Sequence, residues 1–136
     1  MADPLYYVDR SDVREGRLAD VRAAMRDLAD FVRDREPRLI AYHFYLDEPA
    51  STMTLVAVHP DSASLELHMD IGGEKFRGFA ELIRMRSIDV YGRPSEAAVE
   101  RLRAKAEMLG GATVTVHTAQ AGFSRAQPNA AGGPGG

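Results

Sequence analysis

The apolar positions fall into alternating strand-like and helix-like runs. Leu5 to Val8 is a short apolar run suited to a strand, and Ser11 or Asp12 is placed to cap a helix, with Asp12 and Glu15 resembling a capping box. From Glu15 to Asp34 the residues Leu18, Val21, Met25, Leu28 and Val32 recur every three or four positions, which predicts one buried helical stripe ending at Pro37. Arg38 to Leu46 predicts a strand in which Ile40, Tyr42, Phe44 and Leu46 face one way and Leu39, Ala41, His43 and Tyr45 the other. A polar connector of hairpin length, residues 47–51, leads into a second strand, Thr52 to His59, apolar on both sides. Asp61 then caps a helix that reaches about Asp70, where Gly72-Gly73 is expected to interrupt it ahead of a short helix over Glu74 to Ile83. Arg84 to Tyr91 reads as a strand. Ser95 caps a helix with the stripe Val99, Leu102, Ala106 and Leu109, closed by Gly110-Gly111, and Ala112 to about Ala121 is a last β-type run.

The predicted class is α+β: a ferredoxin-like βαββαβ unit with an added αβ unit, an antiparallel sheet with helices on one face. The folded domain is expected over residues 1–125, and residues 126–136, rich in Gly and Pro, read as a disordered tail. Helices on one face leave a difficulty, because the central strands are apolar on both. The uncovered side would put Leu39, Tyr45 and Val56 in water. At about 25 cal/mol per Å², several hundred Å² of such surface supplies some 10 kcal/mol of gross drive to associate. A homodimer packed sheet against sheet is therefore expected, giving a dimeric α+β barrel.

Composition narrows the chemistry. The 136 residues include no Cys, which excludes disulfides, thiolate catalysis and cysteine metal sites. A net charge of −3 argues against a nucleic-acid partner, and no apolar run approaches the roughly 18 residues of a membrane span. A soluble, cytoplasmic protein is the default expectation. No HxH or HExxH spacing, phosphate loop or G-x-S-x-G elbow occurs, so neither a metal nor a cofactor is expected.

The stretch His59-Pro60-Asp61-Ser62-Ala63-Ser64, followed by Leu65 to Met69 and Phe76-Arg77-Gly78-Phe79, resembles the central segment of the antibiotic-biosynthesis-monooxygenase (ABM) family. The resemblance spans about residues 5 to 92. It implies the dimeric α+β barrel, and an activity drawn from a range that includes cofactor-free oxygenases of quinols and aromatic polyketides. His68 matches the helix His of that family. The Asn and Trp used by the aromatic-polyketide oxygenases and the haem degraders have no counterpart: Trp is absent, and Asn129 is the only Asn.

Oxygen chemistry without metal or flavin needs a base to ionise an electron-rich substrate and groups to hold the anion. Histidine is the natural base at neutral pH, and Tyr or Arg can orient the developing charge. His68, His59, Tyr42, Tyr91 and Asp89 are the candidate catalytic residues; Phe44, Met69, Phe76, Phe79 and Arg86 are candidates for substrate binding. His43 and His117 read as structural. The expected function is a cofactor-independent monooxygenase acting on a small apolar or aromatic substrate. The alternatives are a non-catalytic barrel binding a small apolar ligand, or a haem-binding or haem-degrading relative.

Overall fold

A computed structural model describes residues 3–125; the tail expected over 126–136 lies outside the described residues. The element order is β1 (Leu5–Val13), α1 (Leu18–Arg35), β2 (Ala41–Asp47), β3 (Thr52–His59), α2 (Ser62–Arg77), β4 (Ile83–Tyr91), α3 (Glu96–Met108) and β5 (Thr113–His117). The sheet order is β2-β3-β1-β4-β5. The first four strands pair antiparallel and β5 adds parallel to β4, so the chain is an α+β fold with the ferredoxin-like arrangement plus an αβ unit.

Strand β1 runs on to Val13, past the positions read as helix caps. Ser11 and Asp12 are ladder residues with partners on both sides, Met53 and Met85 for Ser11, Thr52 and Arg84 for Asp12. Helix α1 accordingly starts at Leu18 without a side-chain cap and buries Val21, Leu28 and Val32. Leu39 also departs from the expected parity. The strand begins only at Ala41, and Leu39 packs against the core while Ile40 is exposed.

The pair Gly72-Gly73 does not break α2, which is continuous from Ser62 to Arg77 and capped by Asp61, whose side chain accepts from Ser64 N–H at 2.9 Å. Gly72 is instead a packing position. A Cβ there would stand 2.5 Å from Cζ of Phe76, a buried ring one turn on. Ser95 caps α3 through Ala98 N–H, and Gly110-Gly111 closes it, both at positive φ as a helix C-terminus favours.

Strand β4 carries a bulge. Arg10 faces Ser87 while the next residue, Ser11, faces Met85, so Arg86 is left without an opposite residue. Met85, Ile88 and Val90 therefore all point at the helices, while Arg84, Arg86, Asp89 and Tyr91 share the other face. Three helices cover one side of the sheet only. The far side carries Tyr6, Val8, His43, Tyr45, Val56, Val58 and Tyr91, with Tyr45 55% exposed and Tyr6 42%.

Alanine at the two adjacent glycines is expected to act in opposite directions. Gly72→Ala should cost about 1–3 kcal/mol by driving a methyl into Phe76. Gly73→Ala, where nothing lies within 4 Å, should be neutral or stabilise by up to about 1 kcal/mol. Urea denaturation of the two variants checks the sign of each.

Candidate active site

Alternation along β1 sends Tyr7, Asp9 and Ser11 toward the helices, a row that begins apolar with Leu5 and turns polar in the middle of the sheet. Tyr7 lies in register with Ala57 of β3, which in turn pairs with Tyr42 of β2. The small Ala57 leaves both phenols facing the space under the helices. From above, α2 contributes His68 and Phe76, α3 contributes Lys105, and Glu36 enters from the residue that ends α1.

These groups form two linked pairs. Tyr7 donates its hydroxyl hydrogen to Asp9 Oδ2 at 2.5 Å and accepts from Lys105 Nζ at 2.8 Å, with Nζ also 3.5 Å from Asp9 Oδ2. The ammonium lies 4.3 Å from the Phe76 ring centre and 4.9 Å from that of Tyr7, so aromatic faces replace part of its lost hydration. The second pair is His68 Nδ1 with Glu36 Oε2 at 2.7 Å. His59 Nδ1 is held 2.9 Å from Ser64 Oγ. The rings of Tyr42, His59 and Phe76 stand 5.1–5.5 Å from that of His68, so one imidazole is the centre of the group.

Burial sets the protonation states. It holds both His59 and His68 down at about 3, so both imidazoles are neutral. It raises Glu36 to about 7. It also keeps the Tyr42 and Tyr7 phenols protonated well past their ordinary range. Asp9 and Lys105 are each pushed by burial toward neutrality and partly restored by each other. The consequence for His68 is specific. Above about pH 7 the Glu36 carboxylate accepts from Nδ1–H, leaving Nε2 a free lone pair. Below it, the Glu36 carboxyl donates to Nδ1 and Nε2 carries the hydrogen. The dyad is therefore a base only in its upper range.

Several buried polar atoms have no protein partner among the described residues: Tyr42 OH, His68 Nε2, His59 Nε2, Asp9 Oδ1, Glu36 Oε1 and Ser11 Oγ. Most buried polar groups in folded proteins are paired, so the free ends of Tyr42, His68 and His59, whose rings pack together, mark a candidate binding site. A cavity of about 20 Å³, room for roughly one water, lies among Asp9, Tyr42, Phe44, Phe76, Phe79 and Lys105. Among the described residues no group of three His, Asp or Glu side chains is arranged to hold a metal ion.

Of the residues singled out from sequence, His68, His59 and Tyr42 come together here, with Phe44, Phe76 and Phe79 as walls. His68 and His59 are buried behind Tyr42, and Met69 in the core, without lining the cavity itself. Tyr91, Asp89 and Arg86 are not part of this site. They lie on the opposite face of the sheet, where Asp89 accepts from His117 Nε2 at 2.8 Å, Tyr91 stacks on His117, and Arg86 meets Asp12 at 3.5 Å. Sequence reasoning missed Tyr7, Asp9, Glu36 and Lys105. Lys105, one of only two lysines, continues the buried stripe Ala98–Leu102–Lys105–Leu109, and that spacing was its signal.

No family model matches the sequence, and no curated protein matches it significantly. Solved structures do. MupZ from Pseudomonas fluorescens matches with a TM-score of 0.71 at 16% identity, over 90% of this chain and 95% of that one. PA3566 from Pseudomonas aeruginosa gives 0.59 at 21% identity over 70% of this chain and 98% of its own; Rv0793 from Mycobacterium tuberculosis gives 0.57 at 18%, over 70% and 99%. At such identities the shared property is the fold, that of small α+β proteins. The MupZ match is long enough to take in α3 and β5, the unit that carries Lys105.

Two outcomes follow from the charges. Lys105→Met, which strands a buried carboxylate, is expected to cost about 3–5 kcal/mol, and Asp9→Asn/Lys105→Met together less than the single change; a double-mutant cycle in urea measures both. The histidines bind protons in the unfolded chain from their ordinary 6.5 down to about 3 in the fold, so they withdraw stability as pH falls below 6.5. Glu36 acts oppositely between 4.5 and 7, stabilising the fold as pH falls. Two imidazoles outweigh one carboxyl, so urea midpoints should fall on acidification below pH 6.5, most steeply below 4.5, and less so in His59→Gln.

Proposed function

We propose that the chain is a proton-transfer enzyme of the ABM-like type its sequence resembles, a cofactor-independent monooxygenase of a small quinol-like or aromatic substrate. The observation that carries this is the Glu36–His68 dyad packed against the rings of Tyr42, His59 and Phe76, with His68 Nε2 and the Tyr42 hydroxyl both without a protein partner. In this reading the Glu36 carboxylate, 2.7 Å from Nδ1, stabilises the imidazolium that burial alone disfavours, so that His68 Nε2 takes a proton from a phenol or an activated ring CH₂, and Tyr42 hydrogen-bonds the oxyanion. The electron-rich anion then reduces O₂. For a ring CH₂ the balance closes without a cofactor: one oxygen atom becomes the ring carbonyl, and the other leaves with two hydrogens as water. Apolar walls keep bulk solvent from the anion.

A second reading is redox-neutral proton transfer by the same dyad, favoured by the three polar residues, Asp9, Tyr42 and Lys105, in the otherwise apolar lining of the cavity. The experiment separating them follows oxygen uptake and substrate loss together, with dihydroxynaphthalene-type and anthrone-type substrates. Uptake matching substrate loss supports oxygenation; loss without uptake supports the second reading; neither one, with ligand bound, removes catalysis and leaves a binding barrel. His68→Ala is expected to lower the rate at least 100-fold. The wild-type rate should rise with pH through about 7 as Glu36 ionises, and Glu36→Gln should flatten that rise.

The assembly proposed is a homodimer through the uncovered face. Its rows Tyr6–Val58 and Val8–Val56–His43, flanked by Tyr45 and Tyr91, form one apolar surface on strands that cannot move apart. Sedimentation should give a dimer at micromolar concentration and a monomer for Val56→Asp.

A further inference from the structure

We infer that the substrate reaches the Tyr42–His68 cluster through a groove between α1 and the C-terminal half of α2, with Leu28 and Phe79 as the partition and the Lys75–Asp27 ion pair as a latch across it. The inference rests on the acid–base reading of the cluster and adds the route and shape of what it takes. A cavity of about 20 Å³ admits nothing larger than water, so an organic substrate requires one wall to move. The floor cannot: β1 is hydrogen-bonded to β3 on one side and β4 on the other. The α2–α3 seam is tied by Arg101 to Asp70 and by Ser95 to Glu66 and Ser62, and Lys105 anchors α3 to the floor.

The α1–α2 seam differs. At its inner end Glu36 holds His68; toward the other end the direct polar tie is Lys75 Nζ to Asp27 Oδ2 at 2.7 Å, between side chains 36% and 65% exposed. Beside that pair lies a groove of about 160 Å³ lined by Asp27, Glu74 and Lys75 with the apolar Ala24, Leu28 and Phe79. Leu28 and Phe79 line the groove and the inner cavity alike, so two side chains separate them. Phe79 is carried on a run of turns after α2 rather than on a helix or strand, and stacks on Phe44 at 6.2 Å. Swinging it aside with Leu28 joins the two spaces without breaking a sheet hydrogen bond.

The combined space restricts the occupant. Its inner end offers the Tyr42 hydroxyl, behind which the His68 ring stands 5.2 Å from that of Tyr42, its middle is aromatic and aliphatic, and its outer end is flanked by the Lys75–Asp27 ion pair and Glu74. The ligand is an elongated weak acid of the phenol or enol class, with its ionisable end inside and the remainder in the groove.

The chain has no Cys, so Asp27→Cys/Lys75→Cys can be joined specifically by a reducible bis-methanethiosulfonate cross-linker. The probe is 2-naphthol, followed by its own fluorescence in stopped flow and placed at the cluster by the shift of the His68 ring-nitrogen signals. Cross-linking should slow naphthol entry at least tenfold, dithiothreitol should restore it, and Phe79→Ala in the cross-linked protein should recover most of the rate. An entry rate indifferent to the cross-link, or no naphthol-dependent change at His68 in the wild type, overturns the route. Oxygen uptake does not enter the readout, so binding through this gate without turnover would count against the enzymatic reading alone.

Discussion

Asp9 and Lys105 are taken out of water together, and the rest of the interior is arranged around that fact. A carboxylate in the middle of a sheet is tolerable only with a cation and hydrogen-bond donors in contact, and here Tyr7 and Lys105 supply both. The pair fixes α3, part of the added αβ unit, to the first strand. It also places a positive charge near the two imidazoles, where it helps to keep them neutral. The match to MupZ covers 90% of this chain, against 70% for PA3566 and Rv0793.

Two strand features sort the chemistry. Register sets Ala57 between Tyr7 and Tyr42, opening room where a larger residue would have closed it. The bulge in β4 turns Met85 inward beside Ile88 and Val90, and leaves Arg84, Arg86 and Asp89 on the far face. One side of the sheet thereby encloses a cluster of buried titratable groups. The other is an apolar surface bordered by the Arg10, Asp89 and His117 group.

The fold was largely legible because alternation and helical periodicity are properties of single segments. Asp61 and Ser95 as caps, the α1 stripe and the hairpin all follow from local spacing. What escaped was what depends on partners. Gly72 looks like a breaker until Phe76 is seen packed on it. Asp9 looks like the end of a strand because its ammonium partner is 96 residues away. Glu36, beside Pro37, reads as the end of a helix rather than as the group that decides which nitrogen of His68 carries the proton. Parity told that Tyr42 and His43 face opposite ways without telling which face the helices cover. Asp89 and Tyr91 were drawn toward the site by residue type alone.

The cluster is costly as packing and sensible as a site, since its free polar ends are held in a buried enclosure that apolar residues would fill more stably. Tyr42→Phe tests that claim most directly, because it deletes one buried oxygen without protein partner and keeps the ring. Under this account the variant is as stable as wild type in urea or up to about 1–2 kcal/mol more stable. A loss of 1 kcal/mol or more would mean that the hydroxyl serves the fold, and would contradict the reading of the cluster as a site kept open for a ligand.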